Sequence, residues 1–161
     1  MSAYPLAALI SIRELREEGA KKALLAAEEA LKQALAQEER AQKALDKWRQ
    51  YVIEETERRW SGLLGRPTDS QGLTGFREGL SDLALREADF VEKVLQAQKV
   101  TQEKRDQLVA AREELVARRR AKEKLESHRE LWLAEAAKES ERQEGLELEE
   151  YSRPLLAEEQ N

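Results

Sequence analysis

The 161-residue chain has no cysteine and a single histidine, His128. Disulfides, thiolate chemistry and histidine-rich metal centres are thereby excluded, and the lack of cysteine agrees with a reducing compartment. Helix breakers are scarce, with 7 Gly and 3 Pro, and aromatic residues make up only 5% of the chain. Charged residues, by contrast, account for 38%. Few breakers, few aromatics and many charges are the composition of long helices or coiled coil. No run approaches the roughly 20 apolar residues of a membrane span. The opening MSAYPLAALISIRELREEGA reaches Arg13 and Glu14 after a few apolar residues with no basic segment before them, unlike a signal peptide. A soluble, cytoplasmic chain without membrane insertion is expected.

The formal net charge is −5, and its distribution is uneven. Residues 128–161 hold ten Asp/Glu and four Lys/Arg, whereas residues 1–127 hold 23 acidic and 24 basic side chains, so the negative excess lies in the tail. The basic cluster RRRAKEK, Arg118 to Lys124, sits in a balanced helical pattern without interleaved aromatics. It reads as a solvated face, and no nucleic acid is expected as partner.

Pro5 suits the start of a helix, where its missing N–H costs nothing. From there an apolar seam runs at spacings of three and four through Leu6, Ile10, Ala20, Leu24, Ala27, Leu31, Ala34, Ala41, Leu45, Trp48 and Val52. This is the 3.5-residue period of a coiled coil. The stretch Ser61 to Gly72 gathers three of the seven glycines and Pro67 and reads as a turn, with Thr68 and Gln71 at the spacing of a capping box. A second seam follows: Leu73, Phe76, Leu80, Leu83, Phe90, Val94, Ala97, Leu108, Ala111, Leu115, Leu125 and Trp132. Pro154 disfavours helix at Arg153 and is expected to end the element near Tyr151.

One short loop between two amphipathic helices requires the second to fold back on the first if both seams are to be buried. The expected fold is all-α, a single antiparallel coiled-coil hairpin: helix 1 over about 5–60, turn 61–72, helix 2 over about 73–152 and a short tail, 153–161. The helices are expected to span roughly 80 Å and 115–120 Å, so the second overhangs the first. Pairing outward from the turn sets Trp60 near Leu73 and Leu6 near residue 127, and leaves everything after His128 unpaired. There the seam keeps only Trp132, Ala136 and Leu146, with Glu139, Gln143 and Glu150 between them. Either a partner covers this stretch or it stands as a solvated helix held by i,i+4 pairs.

The seam is also polar in places: Arg13 and Glu17 in the first helix, Lys104, Arg118 and Lys122 in the second. The same pairing puts Glu17 close to Arg118 or Lys122. Opposite charges there would fix register, or their long stems would simply carry the charged heads past the seam into water. No phosphate-binding glycine loop, HExxH or nucleophile elbow is present, and two helices offer no pocket that excludes water. His128 has no second His or Cys to share a metal. No catalytic residue, cofactor or metal is expected, and the chain does not read as an enzyme.

Both ends of the chain resemble a known family. The first carries Tyr4, Pro5, Leu6, Leu9, Ile12, Arg13 and Arg16; the second carries Glu123, Lys124, His128, Trp132, Lys138, Glu139, Arg142, Gln143 and Glu144. These motifs resemble the YscO family of type III secretion systems, whose flagellar counterpart is the export component FliJ. Between them, Trp48 and Arg49 are followed by Glu54, Glu55, Arg58 and Trp60, later than in many relatives.

The resemblance implies a central stalk, a hairpin like the coiled coil of the rotary ATPase gamma subunit. Such a stalk links or stimulates the hexameric secretion ATPase, contacts the export gate and is associated with secretion chaperones. On that reading the termini-bearing end meets the ATPase through His128, Arg129, Trp132 and Glu135 with Tyr4 and Leu6, and Trp132 is the large aromatic exposed there. Leu63, Leu64 and Arg66 at the turn face the export gate. The chain is expected to be a monomer. The heptads by themselves fit a coiled-coil spacer or self-assembling structural protein equally well.

Overall fold

A computed structural model describes residues 3–158, and side chains as far as residue 153. Two helices account for almost all of it: α1, Ala7–Leu63, and α2, Ser70–Glu158. Among the described residues there is no strand, and no helix is long and apolar enough to cross a membrane. The chain divides into two compact units, Met1–Ala23 with Arg112–Asn161, and Leu24–Ala111.

In both units α1 and α2 pack antiparallel. Within Leu24–Ala111, Trp60 meets Phe76 with ring centroids 5.8 Å apart, and Trp48 stacks on Phe90 at 5.2 Å and 16°. The core of this unit is Ala34, Leu45, Leu83, Val94 and Leu108, all buried. In the other unit, Tyr4 meets Trp132, Glu17 meets Lys122, and Ile10, Ala20 and Leu115 are buried. The fold class is therefore the all-α antiparallel hairpin that the two seams require.

Burial follows the coiled-coil period closely. In α1 the less exposed positions include Ile10, Arg13, Glu17, Ala20, Leu24, Ala27, Leu31, Ala34, Glu38, Ala41, Leu45, Trp48, Val52, Glu55 and Arg59, spaced three and four throughout. A straight helix drifts by about 20° per heptad relative to that repeat, so a seam kept this regular holds the same face toward its neighbour only if the helices coil. Several seam residues are polar. Thr101 is only 2% exposed, and its hydroxyl donates to the Ala97 carbonyl at 3.0 Å, so burial leaves no orphan donor there.

The boundaries differ from the sequence reading in three places. Pro5 lies in the turn before α1, where the Ala7 amide donates to the Tyr4 carbonyl at 3.2 Å. The cap of α2 is Asp69: its Oδ1 accepts from the Gly72 amide at 2.9 Å, while Thr68 donates its hydroxyl to the Arg66 carbonyl at 3.1 Å. Asp and Thr are both good caps, and adjacent candidates are separable only once the backbone path is known. Finally, α2 runs on to Glu158, past the expected end near Tyr151 and into the expected tail. Proline so near a helix end removes one intrahelical hydrogen bond, and the remaining ones carry the backbone through.

The overhang begins about one turn later than the pairing argument puts it. Tyr4 reaches back to Trp132, so His128 is still partnered. From Glu141 through Arg153 every residue is exposed, including Leu146, Leu148 and Tyr151.

Replacing Leu45, 4% exposed, by Ala should cost about 2–4 kcal/mol in urea unfolding. Asp69→Ala should cost about 1 kcal/mol through the lost cap, and Leu148→Ala less than about 0.5 kcal/mol. Amides of residues 141–153 should exchange far faster than those around Leu115, since no buried seam holds that part of the helix closed.

Candidate functional site

The turn at Tyr4 to Ala7 decides where the first aromatic goes. Proline 5 fixes φ, and the Leu6 carbonyl accepts from both Leu9 (3.0 Å) and Ile10 (3.2 Å), which starts α1. Tyr4 is thereby turned onto α2, where it is 7% exposed. His128 and Trp132 are four residues apart on α2 and so share a face. The Tyr4 hydroxyl and His128 Nδ1 are hydrogen-bonded at 2.6 Å, and the Tyr4 ring meets Trp132 edge-on, with centroids 5.5 Å apart at 62°. Edge-to-face packing of this kind adds about 0.5–1.5 kcal/mol beyond the area it buries.

About two turns before His128 on α2 lies an ion cluster. The Glu17 carboxylate meets Lys122 at 2.5 Å, Arg119 at 3.3 Å and Lys21 at 3.5 Å. The Lys122 hydrogen bond is the main reason its carboxyl is held below the usual range, against the opposing effect of burial. Lys122 is correspondingly raised, chiefly by Glu17. Of the two cations the sequence offers Glu17, Lys122 is the partner and Arg118 is not. Arg118 instead pairs with Glu114 one turn away at 2.6 Å, and Arg119 takes its place. A one-residue step along a helix turns a side chain by about 100°, which a seam-spacing argument does not resolve.

Tyr4, His128 and Trp132 are thus brought together. Arg129 and Glu135 lie exposed on α2 beside them, and Leu6 is 38% exposed. Leu63 is half-buried, and Leu64 and Arg66 are exposed; these three belong to the other unit. The expectation that Trp132 is the exposed aromatic needs correction. Tyr4 covers it to an intermediate degree, while Trp60 and Tyr51, at 48% and 46%, remain exposed. The pairing argument stops at Leu6 and leaves no residue of the first helix to cover Trp132.

Another polar cluster involves Glu55 and Arg58, singled out from the sequence only as part of the family-like central run, and Arg59, which was not singled out. Glu55 is 9% exposed and accepts from Arg58 at 2.5 and 2.9 Å and from Arg59 at 2.9 Å. Arg58 first, then Arg59, holds its carboxyl down to about 2. The signal was the spacing Glu55, Arg58, Arg59, which sets both guanidinium groups one turn from the carboxylate. Among the described residues no group of three His, Cys, Asp or Glu side chains is placed to hold a metal. These arrangements hold α1 against α2, at Tyr4 and Glu17, or tie side chains of one helix together, at Glu55.

The carboxylates set the acid limb of stability. Glu55 has an ordinary value of 4.5, so its contribution is complete above that pH and is lost as pH falls toward about 2. Glu17 acts in the same direction, whereas raised Lys122 contributes below its ordinary 10.5 and is lost as pH rises beyond it. The melting temperature should therefore be level through neutral pH and fall below about 4.5. A Glu55→Gln/Glu17→Gln chain should melt lower at pH 7 and lose less on acidification, measured by circular dichroism.

Comparison with known proteins agrees with this architecture. The family model described as type III secretion protein YscO matches residues 6–154. Among solved structures, a YscO homologue from Chlamydia trachomatis is similar, with 26% identity and a TM-score of 0.82 over 96% of this chain and 95% of that one. Type III secretion protein YscO from Vibrio parahaemolyticus has the same fold, with 24% identity and a TM-score of 0.81 over 90% and 91% of the two chains. No curated protein matches the chain. The match over nearly its whole length means that the chain belongs to the YscO family of type III secretion proteins.

Proposed function

We propose that the chain is a non-enzymatic central stalk of a type III secretion apparatus, acting on its cytoplasmic side. It links or stimulates the hexameric secretion ATPase, contacts the export gate and meets secretion chaperones. It works as a monomer, without membrane insertion or nucleic acid. The observation that carries this reading is the convergence of the two family-like terminal motifs on one cluster: Tyr4 from the first, His128 and Trp132 from the second. The cluster fixes the end of α1 against α2 and presents Arg129 and Glu135 beside it, exposed for a partner. Aromatic and arginine anchors of this kind dominate binding energy when a partner desolvates them. Leu63, Leu64 and Arg66 at the turn are assigned to the export gate.

The test is stimulation of the cognate ATPase by the purified chain. Trp132→Ala removes the anchor but also uncovers Tyr4, so it is paired with Arg129→Ala/Glu135→Ala, which changes only exposed side chains. Both variants should need about tenfold more protein for half-maximal stimulation, as loss of one anchor implies. Full stimulation by both, with unchanged helicity and melting, would remove the assignment.

A further inference from the structure

Adjoining the aromatic cluster, with Leu6 and His128 in its lining, the start of α1 and α2 form an open groove with an apolar floor and a basic rim. Leu6, Ala121 and Leu125 line it together with Arg13, Arg120 and Lys124. None of these three cations forms an ion pair among the described residues, although neighbouring Arg118, Arg119 and Lys122 all do. The Arg13 Nε is moreover shut off from water and has no acceptor. An incoming carboxylate meets the outer nitrogens of the same guanidinium, which line the groove without a partner among the described residues and share its charge.

We propose that this groove is the docking site for an acidic amphipathic helix of a partner protein. Two helices packed side by side leave a furrow along their length, and a third helix laid in it seats an apolar stripe on Leu6, Ala121 and Leu125. Carboxylates flanking that stripe meet Arg120 and Lys124 at the rim, and one reaches Arg13. A partner read mainly through phosphates would have no use for the apolar floor. The chain's own acidic extension cannot occupy the groove, because α2 continues without a break from the groove through to Glu158. The proposal is independent of which protein meets Trp132.

The test titrates the full-length chain against two labelled helical peptides by fluorescence anisotropy. One carries a Leu/Ala stripe flanked by Glu; the other has Lys at every Glu position. The Glu peptide should bind saturably and the Lys peptide should not. Arg120→Glu/Lys124→Glu, which alters exposed side chains and should leave helicity unchanged, should weaken the Glu peptide at least about tenfold and admit the Lys peptide. Arg13→Gln should weaken the Glu peptide as well. No binding of the Glu peptide, equal binding of both peptides, or binding indifferent to the charge reversal would overturn the proposal. So would a poly(dT) oligonucleotide that displaces the Glu peptide at equal concentration, which makes the groove a general polyanion surface. A mass that rises with protein concentration, and ceases to in the charge-reversed chain, would give the groove to the acidic segment of a second copy instead.

Discussion

Everything in this structure depends on a single line of contact. Where two helices lie side by side there is one seam and no second layer, so a side chain is buried only if it falls on that seam and faces the other helix. The spacing of three and four is obeyed from Ile10 to Arg59 because nothing else in the fold removes apolar surface from water. The same thinness explains the polar residues on the seam. Glu17, Glu55 and Thr101 are each buried within reach of a partner: cations across the seam and one turn away for Glu17, two arginines of its own helix for Glu55, and a backbone carbonyl for Thr101. A charge left there alone would face the desolvation penalty with no compensation.

A two-helix seam also constrains function. Among the described residues it leaves ends, furrows and uncovered faces as its accessible surfaces. The terminal cluster is of the first kind. A tyrosine held by a Pro turn closes the end of α1 over a histidine and a tryptophan of α2, and turns two sequence motifs more than a hundred residues apart into one surface. The basic groove next to it is of the second kind, and the exposed run from Glu141 to Arg153, with three large apolar side chains in the open, is of the third.

The hairpin, its turn and its seam were legible in the sequence because a coiled coil writes its burial pattern directly as a period. Leu45, Leu83, Val94 and Leu115 were all on the expected seam and all are buried. Glu17 with Lys122 was also legible, since counting outward from a short turn predicts which turns face one another. What the count could not supply was anything finer than a turn. Arg119 rather than Arg118 at Glu17, Asp69 rather than Thr68 at the cap, and the continuation of α2 past Pro154 are each decided by the rotation or path of a particular backbone. Nor could periodicity find Tyr4 over Trp132, because Tyr4 lies ahead of α1, where residues 3–6 are not helical. Periodic burial is a property of each helix and so belongs to the sequence. The partners of Tyr4 and Glu17, and the burial of Arg13 Nε without one, depend on the azimuth at which two helices meet, and that is fixed only when both are packed.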